Sequence, residues 1–407
     1  MSLRILHIST RLIQGGSQEN TALSCEGQAD LGHEVHLAYG PIFGPEGTML
    51  DRVHRFRSED DQSIGAHEVP HMVREIAPLK DAKCYLELKR LIRDLQPDIV
   101  HTHSSKAGIL GRAAAWSVHK HSKNRRPAVV HTTHGPPFHK YLSNTKNTLY
   151  ITSEQFAAKR CHTIVSVADA MTEQFLDAKI GDRAQYVTVR SGMEVERFLK
   201  PMDGEDRQSM RAQLGFTDSD FVVGTVARLA EHKGHDDILD GLADDLRANP
   251  HWKLLWVGDG WWADRLLGRV KELGLAKQLV TTGLVAQDKV ASMIRAMDVL
   301  LHPSYREGLP RTVPQALLCS VPVAATTTDG TPEVCIDPGT DPKNATGVLF
   351  PVADADALRD AVRWLHTRPE ERAAMGARGR AMCATMFSAQ SMVDDLERVY
   401  AEALTRC

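Results

Sequence analysis

The chain has 407 residues, 42% of them hydrophobic and 25% charged, with a formal net charge of -3. That balance is ordinary for a globular protein and excludes disordered, collagenous and fibrous classes, while the length calls for two domains rather than one core. The near-neutral total gives no basic signature for nucleic acid, although residues 1–200 carry +4 and the rest -7, with 14 of the 19 histidines in the first half.

That asymmetry reads either as compositional scatter or as a first half that meets an anionic ligand or membrane surface. No run approaches eighteen apolar residues, so no transmembrane helix is expected. Arg4 and Arg11 interrupt the apolar start, which is too short for a signal peptide. The seven cysteines form no CxxC pair. A disulfide framework is not expected, and a reducing cytoplasm is.

Residues 3–8 read as a short buried strand, followed by a turn through Gly15 and Gly16 and a helix ending at Gly32. Strands are then expected at 35–39, 98–102, 128–132, 163–167 and 186–189, with helices at 106–119, 146–160 and 168–178. Around 199–208 the pattern stops, and Pro201, Gly204 and several charges suggest a linker. A second series follows, with strands at 221–227, 253–257, 278–282, 299–302, 321–325 and 347–350. Its helices fall at 235–246, 263–273, 288–295 and 311–318, and the end is helical at 355–366, 369–383 and 389–403. Val- and Ile-rich strands alternating with helices of ten to fifteen residues indicate parallel sheets with crossover helices. The fold class is therefore α/β, with two doubly wound Rossmann-like domains facing a central cleft. The chemistry should lie just beyond the carboxyl ends of the strands.

Several strand ends carry suitable residues. Ser304 to Pro310 follows a strand and opens a helix, where free N–H groups and the dipole suit a phosphate. There Gly308 allows close approach, Glu307 offers a carboxylate to sugar hydroxyls, and Gln315 lies two turns on. The same stretch also reads as an ordinary capped turn. Arg228 follows another strand and Lys233 precedes a helix, a pair suited to a diphosphate or simply to solvent. Gly15 and Gly16 could admit a phosphate or form a tight turn. His101, His103, His131 and His134 end two strands. No Asp, Glu or Cys accompanies them at ligand spacing, so no metal is expected, and His134, which leads into Gly135-Pro136-Pro137, is the best single hydrogen-bonding candidate. Gly258 to Ala263 fits GxGxxA but lacks a following acidic strand end, and reads as a turn. Asp218–Asp220 and Asp354–Asp356 read as structural, the latter as a helix cap.

Taken together, these pieces resemble the family 4 retaining glycosyltransferases of the GT-B fold, and the stretch His101–Arg112 with His131–Gly135 resembles the family's bacterial surface-polysaccharide members. Gly15-Gly16, Ser191-Gly192-Met193-Glu194, Arg228…Lys233-Gly234, Val257-Gly258-Asp259-Gly260 and Pro303-Ser304…Glu307-Gly308 with Gln315-Ala316 occur in the family's order. Two departures stand out: Ser191 and Glu194 stand where the family has Asn and Asp, a milder change, and the second of the family's paired glutamates is Gln315 here. Gln keeps an acceptor for the ribose but loses the charge.

The resemblance implies a hexose-type transfer, with retention and without a metal, from a UDP- or GDP-linked sugar to an acceptor hydroxyl in glycan or glycolipid biosynthesis. It assigns Arg228, Lys233, Glu307 and His134 to catalysis. It assigns Gly15, Gly16, Gly258, Leu284, Val285, Gly308, Leu309, Pro310 and Gln315 to the donor. The expected layout is an acceptor domain at 1–200, a nucleotide-sugar domain at 201–385 and a helix at 386–407 crossing back to the first domain. The nucleotide sugar is a co-substrate, and no resident cofactor is expected. The expected partners are a glycan or lipid-linked acceptor and a membrane surface met peripherally through the first domain, at the inner face. A catalytically impaired nucleotide-sugar binder, motivated by Gln315, and a nucleotide-sugar 2-epimerase are the alternatives.

Overall fold

The computed structural model describes residues 2–42, 47–121 and 127–407. The chain divides into two compact units, one of residues 1–193 and 389–407, the other of residues 194–388.

The first unit holds a seven-stranded parallel sheet. Its strands are β1 (Arg4–Ser9), β2 (Glu34–Tyr39), β3 (Gly65–Glu68), β4 (Ile99–His103), β5 (Ala128–Thr133), β6 (Thr163–Ser166) and β7 (Tyr186–Thr188), in the order β3-β2-β1-β4-β5-β6-β7. The order reverses between β1 and β4, where Ile5 pairs with Ile99 and Ser9 with His103. β1, β4 and β5 are buried almost throughout because helices cover both faces.

The second unit repeats the plan with six strands. They are β8 (Phe221–Val226), β9 (Trp252–Val257), β10 (Leu279–Thr281), β11 (Val299–His302), β12 (Val323–Thr326) and β13 (Gly347–Phe350), in the order β10-β9-β8-β11-β12-β13. Every pair is parallel, and the reversal falls between β8 and β11. Its core gathers Trp252, Leu254 and Trp256 of β9 with Ile238, Leu242 and Leu246 of the helix His235–Ala248.

The unit boundary lies at 193/194, seven residues before the expected 200/201. The cause is a set of backbone carbonyls in 197–200 that the second unit claims. Arg295 donates to the carbonyls of Arg197, Phe198 and Lys200, and Arg380 to that of Leu199. The expected linker is also partly ordered as the short helices Glu196–Leu199 and Arg207–Gln213, the latter capped by the Asp206 carboxylate on the Ser209 N–H.

The chain leaves the second unit at Ser388. The last helix, Ala389–Thr405, then packs Met392, Leu396, Val399, Tyr400 and Ala403 against Ile5, Ile99, Val130 and Val165 of the first sheet.

The largest difference from the sequence reading lies at 40–97, where no element was expected. This stretch contains the helices Leu50–Arg55 and Pro78–Leu95 and the edge strand β3. β3 reads Gly-Ala-His-Glu, without the apolar run that marks its neighbours. The helix Pro78–Leu95 buries only Cys84, Leu88 and Ile92, while Leu79 and Leu86 face outward and blur its period. Among the described residues, no helix is long and apolar enough to cross a membrane.

Candidate functional site

In the second unit, two loops leave the sheet at its reversal, one after β8 and one after β11, and the backbone stitches them together. Tyr305 N–H donates to the His232 carbonyl at 2.8 Å, and the Ser304 hydroxyl donates to the same oxygen at 3.2 Å. Gly234 sits at φ 71°, where a Cβ would fall 2.1 Å from the Pro303 carbonyl oxygen, so only glycine lets the loops close.

This closure brings Lys233 and Glu307 together. Lys233 Nζ lies 2.5 Å from Glu307 Oε1, and His302 Nε2, at the end of β11, lies 3.2 Å from the same oxygen. The Glu307 N–H donates to Asp329 Oδ2 at 2.5 Å, which holds the residue from its backbone as well. Burial alone would raise the Glu307 carboxyl, but the Lys233 ammonium and then His302 overcome it and hold it well below the usual carboxylate range. Glu307 is thus a fixed anion. The neighbouring His232 is lowered to about 4, first by burial and then by Lys233 and Arg306.

The remaining donor candidates of this unit lie along the same strand ends. Arg228 is exposed, with its guanidinium 5.5 Å from the centre of the Trp261 ring. Gly258 has φ 136°, and a Cβ there would meet the Ala227 carbonyl oxygen at 2.2 Å. Its N–H donates to the Gly283 carbonyl at 3.0 Å, which sets Leu284 and Val285 directly after that bridge, with Leu284 exposed. The Gly308 carbonyl accepts from Gly330 N–H at 3.1 Å, Leu309 is half-buried, Pro310 is buried, and the chain then enters the helix Thr312–Leu318 with Gln315 half-buried on it. A fixed anion paired with a lysine, with an exposed arginine after the neighbouring strand β8, can orient sugar hydroxyls and neutralise a diphosphate. A cavity of about 440 Å³ elsewhere in this unit is lined by Asp298, Ser320, Val321 and Pro322, which precede β11 and β12. It is therefore at the wrong ends of those strands for such chemistry.

The two Asp-x-Asp strings are structural. Asp220 accepts from the Thr217 N–H at 2.7 Å, and Asp354 caps its helix through the Ala357 N–H at 2.9 Å.

In the first unit, Gly15 and Gly16 open the helix Gly16–Asp30, with Gly15 in extended backbone at its start. At the sheet reversal the Thr10 and Ser104 hydroxyls meet at 2.9 Å. Beside them is a cavity of about 550 Å³, whose wall mixes Thr10, Arg11, Ser104, Ser105, Lys106 and Arg74 with Ile76, Ile109, Leu110, Leu149 and Tyr150. Lys106 is paired with Asp81 at 2.5 Å.

The histidines do not converge as one group of four. His131 turns to Thr102, with Nδ1 2.9 Å from Oγ1, and packs against Gly108. His101, His103 and His134 lie apart from it, because adjacent residues along a strand point to opposite faces. His7 of β1, which the sequence reading passed over, joins them, its Nδ1 2.9 Å from His103 Nε2, and His103 Nδ1 is 3.3 Å from His134 Nε2. His7, His101 and His103 offer ring nitrogens within 4.8 Å of one another, but those nitrogens already face one another, Gln28, Tyr400, Thr132 and His134. That is a hydrogen-bond chain rather than an open ligand set. Burial lowers His7 to about 4, and holds His101 and His103 well below the ordinary histidine value. His302 and Asp329 were likewise missed, since neither lies in a recognisable spacing with Glu307.

Comparison with known proteins covers both units. A glycosyl transferase 4-like domain matches residues 15–192, and glycosyl transferases group 1 match residues 206–382. The chain is 29% identical over 277 residues to the UDP-Gal:alpha-D-GlcNAc-diphosphoundecaprenol alpha-1,3-galactosyltransferase of Escherichia coli, spanning 66% of this chain and 68% of that protein. It is 25% identical over 312 residues to the alpha-monoglucosyldiacylglycerol synthase of Acholeplasma laidlawii, spanning 73% of each. HepE of Anabaena, solved in complex with UDP, shares the fold with a TM-score of 0.78 at 17% identity, over 98% of this chain and 100% of that one.

Proposed function

The chain belongs to the family 4 glycosyltransferases of the GT-B fold, and from that premise we propose that it transfers a hexose with retention of configuration, without a metal, onto a lipid-linked acceptor. The observation that carries the reading is the Lys233–Glu307 pair, fixed at the reversal of the second sheet. The second unit binds the nucleotide-diphosphate sugar. Glu307 orients sugar hydroxyls, while Arg228 and Lys233 take up the negative charge that develops on the departing diphosphate. Gln315 supplies a neutral acceptor to the ribose. His134 hydrogen-bonds the transferring sugar, and the leaving phosphate takes the acceptor's proton, so no separate nucleophile and base are needed.

The acceptor binds in the cavity of the first unit, where hydroxyls and Arg11 suit a phosphate and the apolar wall suits a lipid. Ile76, Leu79, Leu86, Leu149 and Phe156 are exposed on or beside the helices Pro78–Leu95 and Asn144–Ala158. They share those helices with Lys80, Lys83, Lys146 and Arg90, the composition of a peripheral membrane surface. The E. coli and A. laidlawii relatives, named for a diphosphoundecaprenol sugar and a glycolipid, support this choice of acceptor.

The test is a thermal-shift screen of UDP- and GDP-sugars, followed by incubation of the best binder with a short polyprenyl-diphosphate sugar in EDTA. An α-linked product from an α-donor, formed in EDTA, supports the proposal. An inverted product, dependence on added metal, or epimerised donor without transfer would overturn it.

A further inference from the structure

We propose that Tyr400, Gln28, His7 and His103 are positioning residues that give His134 a single tautomer, with its proton on Nε2. The inference rests on the reading that His134 hydrogen-bonds the transferring sugar. These residues come from distant parts of the chain, namely β1, the first helix, β4 and the last helix.

Gln28 sets the direction of the chain. Its Nε2 donates to the Tyr400 oxygen at 3.0 Å, and its Oε1 is 2.7 Å from His7 Nε2, which must therefore donate. A neutral imidazole carries one N–H and one lone pair. His7 Nδ1 is then an acceptor, and His103 Nε2, 2.9 Å away, gives it a proton. The same step leaves His103 Nδ1 as an acceptor, so His134 Nε2 donates across 3.3 Å. On the other branch, Tyr400 already accepts from Gln28, so its hydroxyl donates to His101 Nδ1 at 2.6 Å, and His101 Nε2 donates to Thr132 Oγ1 at 2.7 Å.

Burial makes this order binding. Gln28, His7, His101 and Tyr400 are fully buried and His103 is 1% exposed, so bulk water cannot replace a lost partner. The depressed basicity of His7, His101 and His103 keeps these rings neutral near pH 7, which the one-donor, one-acceptor reasoning requires. The rings also meet edge to edge with nearly parallel planes, 19° between His7 and His103 and 21° between His103 and His134, as in-plane hydrogen bonds require. That restricts ring rotation as well as tautomer. The row thus ends with the proton of His134 on Nε2, the nitrogen that faces His103. The role of the last helix extends beyond packing, because its Tyr400 anchors the row.

The full chain labelled with ¹⁵N-histidine tests this, with the His134→Ala spectrum assigning that ring. At pH above the ordinary histidine range the wild-type spectrum should show His134 protonated at Nε2, and protonation at Nδ1 instead would overturn the proposal without any variant. In Tyr400→Phe, which keeps the ring and loses the hydroxyl, the His134 signals should shift to a mixture of tautomers. Hydrolysis of the nucleotide sugar that binds best in the thermal-shift screen should lose roughly tenfold in kcat with KM little changed, the pattern of a transition-state effect. Gln28→Leu should do the same. Folded Tyr400→Phe and Gln28→Leu proteins that leave the His134 tautomer unmoved would refute the relay. Unchanged hydrolysis in His134→Ala would instead refute the role of His134 in the reaction, while the tautomer spectrum still decides the relay.

Discussion

The two units share a sheet order up to one extra strand, yet they handle buried polar groups at the reversal in opposite ways. The first places a hydrogen-bonded row of imidazoles there between Tyr400 and His134, with His7, His101 and His103 kept neutral by burial. The second places a charge pair, Lys233 with Glu307, supported by His302 and Asp329. The difference follows from what each strand end supplies. His7, His101 and His103 sit inside strands with helices on both faces, where a charge would be costly and a neutral ring can satisfy both nitrogens. Lys233 and Glu307 sit on loops beyond the strands, still partly open to solvent, where a pair of charges can persist. A neutral row orients, whereas a charge pair can answer charge that develops in a reaction.

Acid should separate the units most strongly. His7 and His162 are lowered to about 4, and His101, His103 and His131 lie well below the ordinary value of 6.5. A depressed histidine contributes stability that is present above its unfolded value of 6.5 and lost as pH falls toward its folded value. For His7 alone that loss is about 3 kcal/mol by pH 4. The second unit also holds His232 and His235 at about 4, but its lowered Glu307 keeps its contribution to far lower pH. Hydrogen exchange between pH 7 and 4.5 should show β1, β4 and β5 losing protection before β8, β9 and β11. The reverse order would break the contrast.

Next in size is the charge pair. Lys233→Ala removes the cation beside a half-buried carboxylate, and turnover should fall about 10³-fold, or about 4 kcal/mol. Steady-state transfer assays check this, and near-normal rates would show that the pair is merely structural.

The first unit does contain one buried ion pair, away from its strand ends. Arg112 and Glu154 meet at 2.6 Å with side chains 1% and 2% exposed. Glu154→Ala strands a buried guanidinium and should cost about 3 kcal/mol in denaturant unfolding, with activity of the folded fraction retained. A loss under 1 kcal/mol would mean that water reaches the site.

The smallest effect is expected at Gln315. Gln315→Glu restores a charged acceptor, and the donor KM should change by less than about tenfold. A gain in kcat of orders of magnitude would instead mark the natural protein as an impaired enzyme.

Local pattern made much of this legible in the sequence. The β-α alternation from residue 98 onward, the glycines at the loops, and the Arg228, Lys233 and Glu307 motifs are all short-range signals, set by backbone geometry and side-chain period. Residues 40–97 escaped because β3 is a short edge strand without an apolar run and the helix Pro78–Leu95 shows solvent two leucines of its own.

Tertiary structure alone decided the partnerships. Glu307 finds Lys233 across 74 positions, and His101 finds Tyr400 across 299. Nothing in the spacing of those residues foretells the meeting. The chain set which strands and turns could form, and therefore which side chains arrive at a strand end. Which two arrive at the same one depends on sheet order and on the return of the last helix, because a hydrogen bond or ion pair is decided by ångströms in space.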